Sequence, residues 1–143
     1  MFTHIMAPVD MTALPTLKRA LDAAADMARH HGARVTYVSA TNNTPGRVAR
    51  TPEEFGAKLA AFAEEQGKTH GIETASHALV LHDARHDLDR ALVRAASDLK
   101  ADLVVMASHE PKFSDYFWSS NGGAVAEHAR ASVLIVRGGP TPA

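Results

Sequence analysis

The chain has no cysteine. That removes disulfides, thiolate catalysis and cysteine-held metals, and it leaves the compartment open. It also lacks an excess of either charge: 15 Lys and Arg stand against 16 Asp and Glu, a net charge of −1. Such a balance gives no electrostatic footprint for nucleic acid or for an anionic membrane surface. No run approaches the ~18 apolar residues of a membrane span. The opening MFTHIMAPVD lacks the basic region of a secretory signal. It reads as a first strand, and a cytoplasmic location is the expectation. Aromatics are scarce, at five Phe, two Tyr and one Trp. Half of them crowd into Phe113, Tyr116, Phe117 and Trp118.

What is present suits one domain over residues 1–143, with 45% hydrophobic and 22% charged residues. A chain of this length buries roughly 68–70% of its unfolded surface, so its core needs no staples. Phe2–Val9 reads as a strand. Leu17, Leu21, Ala24 and Ala28 recur at helical period between Pro15 and His31, with Gly32 placed to end the helix. Val35–Ala40 is rich in β-branched residues and reads as the second strand. The polar stretch Thr41–Arg50, with Pro45-Gly46, is a loop. Thr51-Pro52-Glu53-Glu54 is a helix start with a capping box, leading to Phe55, Leu59 and Phe62 on one face and an end near Lys68. Thr74–Leu81 is a third strand. Asp83 or Asp87 caps a third helix carrying Leu88, Leu92, Ala95 and Leu99. Leu103–Ala107 and Ser132–Arg137 are strands, separated by a short helix after Asn121.

Strands and helices therefore alternate from end to end, without repeats or linkers. That pattern predicts an open five-stranded parallel sheet with helices on both faces, Rossmann-like, with strand order 3-2-1-4-5. Ligands of such sheets sit beyond the carboxyl ends of the strands, where the winding reverses. Pro8-Val9-Asp10 and Ala107-Ser108-His109 would line that crevice. The small polar loop Ser119-Ser120-Asn121-Gly122-Gly123 would close it and open the fourth helix. Its backbone N–H groups suit an anion. The plain alternative is that Ser120 or Asn121 only caps the helix.

These residues carry a family likeness along nearly the whole chain. Pro8-Val9-Asp10, Ala101–Met106, Ser108-His109, Ser120-Asn121, His128-Ala129 and Ser132–Arg137 make it resemble the universal stress proteins. The start from Ala107 to Pro111 is similar to a bacterial subgroup that binds ATP. The resemblance implies adenine near Pro8, Val9, Asp10 and Ala40. It implies ribose and phosphates near Met106, Ala107, Ser108 and His109, and near Ser119, Ser120, Asn121 and Gly122. It further implies ATP or another adenine nucleotide, with Mg as its companion ion. It also implies pairing through Val133, Leu134, Ile135 and Val136 into a homodimer, with a tetramer as the larger option. The chain departs from the family where Ala107, Glu110 and Ser119 replace its glycines. Glu110 would repel phosphates unless it points away. His86-Asp87-Leu88 replaces a glycine and proline after the third strand.

Gly67-Lys68-Thr69 mimics the end of a phosphate loop, but it closes a helix instead of opening one. His82 and His86 have metal-like spacing without further ligands, so no metal is expected. His30, His31 and His70 fall at helix ends. Asp10 is either a ligand residue or a turn residue, and His109 either meets a ligand or orders its loop. Phe113–Trp118 anchor the loop or form an oligomer contact. No nucleophile–base pair stands at readable spacing, so no catalytic residue is assigned, although slow ATP hydrolysis stays open. The leading expectation is a stress-response or regulatory protein acting through an adenine nucleotide and unidentified partners. The alternatives are a nucleotide-free member acting by dimerisation and, remotely, a nucleotide-dependent enzyme on the same fold.

Overall fold

The computed structural model describes residues 1–108 and 121–137. The strands are β1 (His4–Pro8), β2 (Arg34–Thr41), β3 (Thr74–Val80), β4 (Leu103–Ala107) and β5 (Ser132–Val136). The helices are α1 (Lys18–His31), α2 (Pro52–His70), α3 (Ala84–Asp98) and α4 (Asn121–His128). All five strands run parallel in the order β3-β2-β1-β4-β5, as the alternation predicted. The winding reverses at β1, with β2 on one flank and β4 on the other.

Two cores follow from that reversal. Ile5, Ala7 and Val9 face Leu21 and Ala24 of α1 and Leu59 of α2 on one side of the sheet. Met6, Val38, Val104 and Met106 face Leu88 and Leu92 of α3 and Val125 of α4 on the other. Each fully buried Leu or Ile removes enough apolar surface to contribute about 1.5–3 kcal/mol. Tyr37 is completely buried against the edge of Phe62, ring centres 5.3 Å apart. Burial pushes its hydroxyl up to about 12.

Element ends differ from expectation by a residue or two, for local reasons. The first helix begins as a 3-10 turn, Leu14–Leu17, with Pro15 in its first positions. Thr51 caps α2 by accepting the Glu54 N–H, but Glu54 Oε2 reaches the Arg50 N–H and not that of Thr51, which shifts half of the capping box by one residue. Phe62 is only partly buried, while Ala63 takes the third core position of that helix. The helix continues past Lys68 to His70, where Gly71 turns it off at φ 65°. Gly67 is structural: a Cβ there would lie 2.8 Å from Thr74 Oγ1 and 3.1 Å from the Ile72 carbonyl.

The lower end of the sheet is latched by polar groups. Asp102 accepts the Thr3 N–H, the Thr3 hydroxyl and the His4 N–H at 2.9, 3.1 and 3.1 Å. Partial burial would raise its pKa, yet these hydrogen bonds hold the carboxyl below its usual value. His4 is buried; its Nδ1 lies 2.8 Å from the Leu99 carbonyl and its Nε2 2.6 Å from Thr36 Oγ1. A carbonyl only accepts, so Nδ1 carries the proton and Nε2 accepts from Thr36. Burial and then the nearby Arg34 lower the His4 pKa, against the Leu99 hydrogen bond, Asp102 and Glu73.

That depression has a sign. Below about pH 6.5 the unfolded chain takes up a proton at His4 that the folded chain refuses, so stability falls as pH drops through that value. The urea midpoint is expected to fall from pH 7.5 to pH 5.5, and less steeply in His4→Gln. An equal slope in both proteins would remove His4 as the cause.

Candidate functional site

At the carboxyl ends of β1 and β2 the backbone ladder gives way to side-chain bonds. The Val9 N–H still reaches the Val38 carbonyl at 2.8 Å. The Ser39 hydroxyl, fully buried, then donates to the Val9 carbonyl at 2.6 Å. This bond fixes the end of β1 against β2 just before the chain turns. At the turn, Asp10 Oδ1 accepts the Thr12 N–H at 2.9 Å and the Thr12 hydroxyl at 2.6 Å. Its carbonyl accepts the Ala13 N–H at 3.0 Å. Aspartate at such a position mimics a backbone turn.

One Asp10 oxygen is left over. Oδ2 is buried and has no hydrogen-bond partner among the described residues. A buried carboxylate oxygen without a donor is costly, on the order of 1–3 kcal/mol or more. Asp10 also lines a cavity of about 340 Å³, walled by Thr12, Ala40, Asn42, Arg47 and Phe55 among others. The volume sits at the small end of the ~300–1,000 Å³ typical of ligand pockets.

The loop over this cavity is built as a rigid wall. Asn42 Oδ1 accepts the Thr44 N–H at 3.0 Å and its hydroxyl at 2.6 Å, the same turn as at Asp10. The Gly46 N–H donates to the Ala49 carbonyl at 2.9 Å. Lys58 of α2 donates to the Val48 carbonyl and pairs with Glu54 at 3.4 Å, which ties the loop to the helix. Arg47 is exposed at the cavity, and its side chain is unpaired among the described residues. The arrangement offers one acceptor, one cation and small neighbours, enough to orient a polar planar ligand.

The expected site residues divide. Pro8 ends β1 and Val9 follows it; both side chains are buried, and neither residue is in the cavity wall. Asp10 and Ala40 stand in the cavity wall. Met106 is buried against α3 and α4, so its side chain serves the core. Ala107 is half-buried at the end of β4. The Ser108 N–H donates to the Val136 carbonyl at 2.7 Å, and its hydroxyl accepts from Arg137 at 3.2 Å, which ties it to β5. Asn121 and Gly122 open α4. His109, Glu110, Ser119, Ser120 and Phe113–Trp118 lie outside the described residues, as does the His86 side chain. Asp83 takes the N-cap position of α3, and no group of three or more metal-ligating side chains occurs among the described residues.

Sequence reasoning passed over Ser39, Thr12, Asn42 and Arg47. A signal existed for two of them. Asp10-Met11-Thr12 and Asn42-Asn43-Thr44 share an Asx-x-Thr spacing just after a strand, which is the sequence mark of this turn.

Comparison with known proteins places the chain in a family and agrees with its fold. Residues 1–137 match the model of the universal stress protein family. Universal stress protein G of Salmonella typhimurium is 26% identical over 148 residues, covering 96% of this chain and all of that protein. A universal stress protein from Archaeoglobus fulgidus in complex with dAMP superposes with a TM-score of 0.66 at 22% identity, over 93% of this chain and 96% of that one. Another universal stress protein, in complex with cAMP, gives 0.67 at 22% identity, over 96% and 98%.

The Ser39 bond makes the site's frame testable without a ligand. Ser39→Ala leaves the buried Val9 carbonyl short of a donor, so it is expected to cost about 1–3 kcal/mol. Urea denaturation reads this as a lower midpoint at unchanged slope.

Proposed function

Because the chain belongs to the universal stress protein family, we propose that it is a stress-response or regulatory protein that binds an adenine nucleotide, ATP first, beyond the ends of β1 and β2. The observation that carries this reading is Asp10 Oδ2, a buried acceptor with no donor, in the wall of a cavity. An adenine amino group or a ribose hydroxyl supplies the missing donor. Ala40 leaves room for a flat ring, and Arg47 brings a cation to the same cavity. Phosphates then run toward Ala107, Ser108 and the start of α4 at Asn121 and Gly122, where the helix dipole favours an anion. Mg enters as the companion of the phosphates. Similar proteins crystallised with dAMP and cAMP support the adenine class.

No side chain is given a catalytic role, and the protein acts through its assembly and partners. β5 is an edge strand, and Leu134 and Ile135 are each 37% exposed on it. Apolar edges invite pairing. The proposal therefore includes a homodimer through Val133, Leu134, Ile135 and Val136. A cytoplasmic place belongs to the same reading; no helix among the described residues is long and apolar enough to cross a membrane. The exposed edge also favours a second reading, a family member that works by dimerisation without any nucleotide.

Thermal unfolding separates the two readings. ATP or AMP at saturating concentration is expected to raise the melting temperature, and GTP is not; a hundredfold excess over Kd is worth about 2.7 kcal/mol. Asp10→Asn keeps an acceptor for Thr12 but places an amide donor where the free oxygen stood. It is expected to weaken adenine-nucleotide binding about tenfold or more. No shift with any adenine nucleotide at millimolar concentration leaves the dimer reading in its place.

Assembly has its own test. Ile135→Lys is expected to convert a dimer to a monomer in sedimentation velocity, with the fold retained because the position is already partly exposed. A wild-type chain that sediments as a monomer across micromolar concentrations would exclude pairing through β5.

A further inference from the structure

α1, α2 and α3 all end in the same left-handed turn. In α1 and α2 the turning residue is glycine, Gly32 and Gly71, both at φ 65°. In α3 it is Lys100, at φ 56°, the sole non-glycine residue with positive φ among the described residues. The Lys100 N–H donates to the Ser97 carbonyl at 3.1 Å and the Ala101 N–H to the Ala96 carbonyl at 2.9 Å, which completes the capping motif. A side chain is disfavoured there because its Cβ crowds the following carbonyl. Glycine serves the same turn twice in this chain, so the lysine side chain needs its own reason.

Lys100 borders a cavity of about 340 Å³ between the carboxyl ends of α3 and α4. Ser97, His128 and Arg130 share its wall, with Val93 and Ala131 among its apolar residues, and no carboxylate lines it. The side chains of Lys100, His128 and Arg130 have no ion pair or hydrogen bond among the described residues. They are not needed by four of the carbonyls at the end of α3. Those at Ala95, Ala96, Ser97 and Leu99 already accept from Leu99, Ala101, Lys100 and His4. Each helix end brings about half a negative charge, against full charges on Lys100 and Arg130. The balance is positive in a chain whose net charge is −1.

We propose that this cavity is a second ligand site, taking a small phosphate-type anion between Lys100, Arg130, His128 and the Ser97 hydroxyl. It lies at the opposite end of the sheet from the crevice, because Lys100 and Arg130 precede β4 and β5. It is therefore independent of the nucleotide reading. A charge-assisted contact to each cation holds the anion, and the apolar floor accommodates a small organic group attached to it.

Inorganic phosphate and a sugar phosphate, titrated at constant ionic strength with chloride as control, test the site by amide chemical shifts. Saturable shifts at Ser97, Lys100 and Arg130 support it. Tighter binding of the sugar phosphate assigns an organic phosphate as the occupant, equal binding assigns the free ion, and both support the site. Lys100→Gly relieves the backbone, so it is expected to raise the melting temperature by about 3 °C while phosphate affinity falls about tenfold or more. Arg130→Gln is expected to lose comparable affinity at unchanged melting temperature. Shifts confined to residues 10–12 and 40–49, a linear response with no saturation, or wild-type affinity in Lys100→Gly would each overturn the proposal.

Discussion

Everything in this fold hangs on β1, a five-residue strand buried along its whole length. Its polar backbone has no water to turn to, so both flanks must be paired. Pairing with β2 runs the full strand, but the register with β4 comprises Ile5 with Leu103 and Met6 with Val104. At the lower end, where His4 lies outside that register, polar groups make up the pairing. Asp102 gathers Thr3 and His4 N–H groups, its own N–H returns to the His4 carbonyl, and its carbonyl accepts from Ser132. One residue thus links β1, β4 and β5. The His4 ring adds β2 through Thr36 and α3 through Leu99. Hydrogen bonds to a charged group are worth about 1.5–3 kcal/mol each when sheltered, and less at this half-exposed position.

Toward the upper end only the β1–β4 pairing stops short, at Met6 and Val104. β1 stops at Pro8, which has no N–H to continue a ladder, and the ladder to β2 closes one residue later through Val9 and Ser39. Beyond that point Asp10 and Asn42 each fold the chain with a side chain. Such turns leave part of the turning side chain free, and at Asp10 the free part is a buried oxygen. Asp10 and Asn42, which turn the chain after β1 and β2, also stand in the cavity wall, so the candidate site and the strand ends share these residues.

How much of this could be read from residues alone depends on what each signal encodes. β4 was placed to the residue, because Asp102 bounds an apolar run that no helix period fits. Strand order followed from alternation and handedness, which hold across such folds. The role of Met106 did not follow, since a strand buried on both faces shows no alternation that tells the core side from the crevice side. Arg47 was invisible for another reason: a polar loop gives no period, and its place over the cavity depends on Lys58 reaching Val48 from a helix ten residues on. Lys100 gave no warning either. Lysine is an ordinary helix-end residue by charge, and only the backbone angle shows that it stands where its neighbours use glycine.

Two glycines differ in what the described chain demands of them. Gly67 is demanded from within, since Thr74 and Ile72 leave no space for a Cβ. Gly123 is not. It lies inside α4, has no positive φ, is exposed, and a Cβ there would meet nothing within 4 Å. Alanine in its place would stabilise the helix by about 1 kcal/mol. α4 is eight residues long and anchored by Val125, a length that does not hold as a helix on its own in water. Nothing in the described residues demands glycine in place of alanine in this first turn. In the proposed nucleotide reading, close approach of phosphates to the backbone N–H groups at the start of α4 gives glycine a use that alanine lacks.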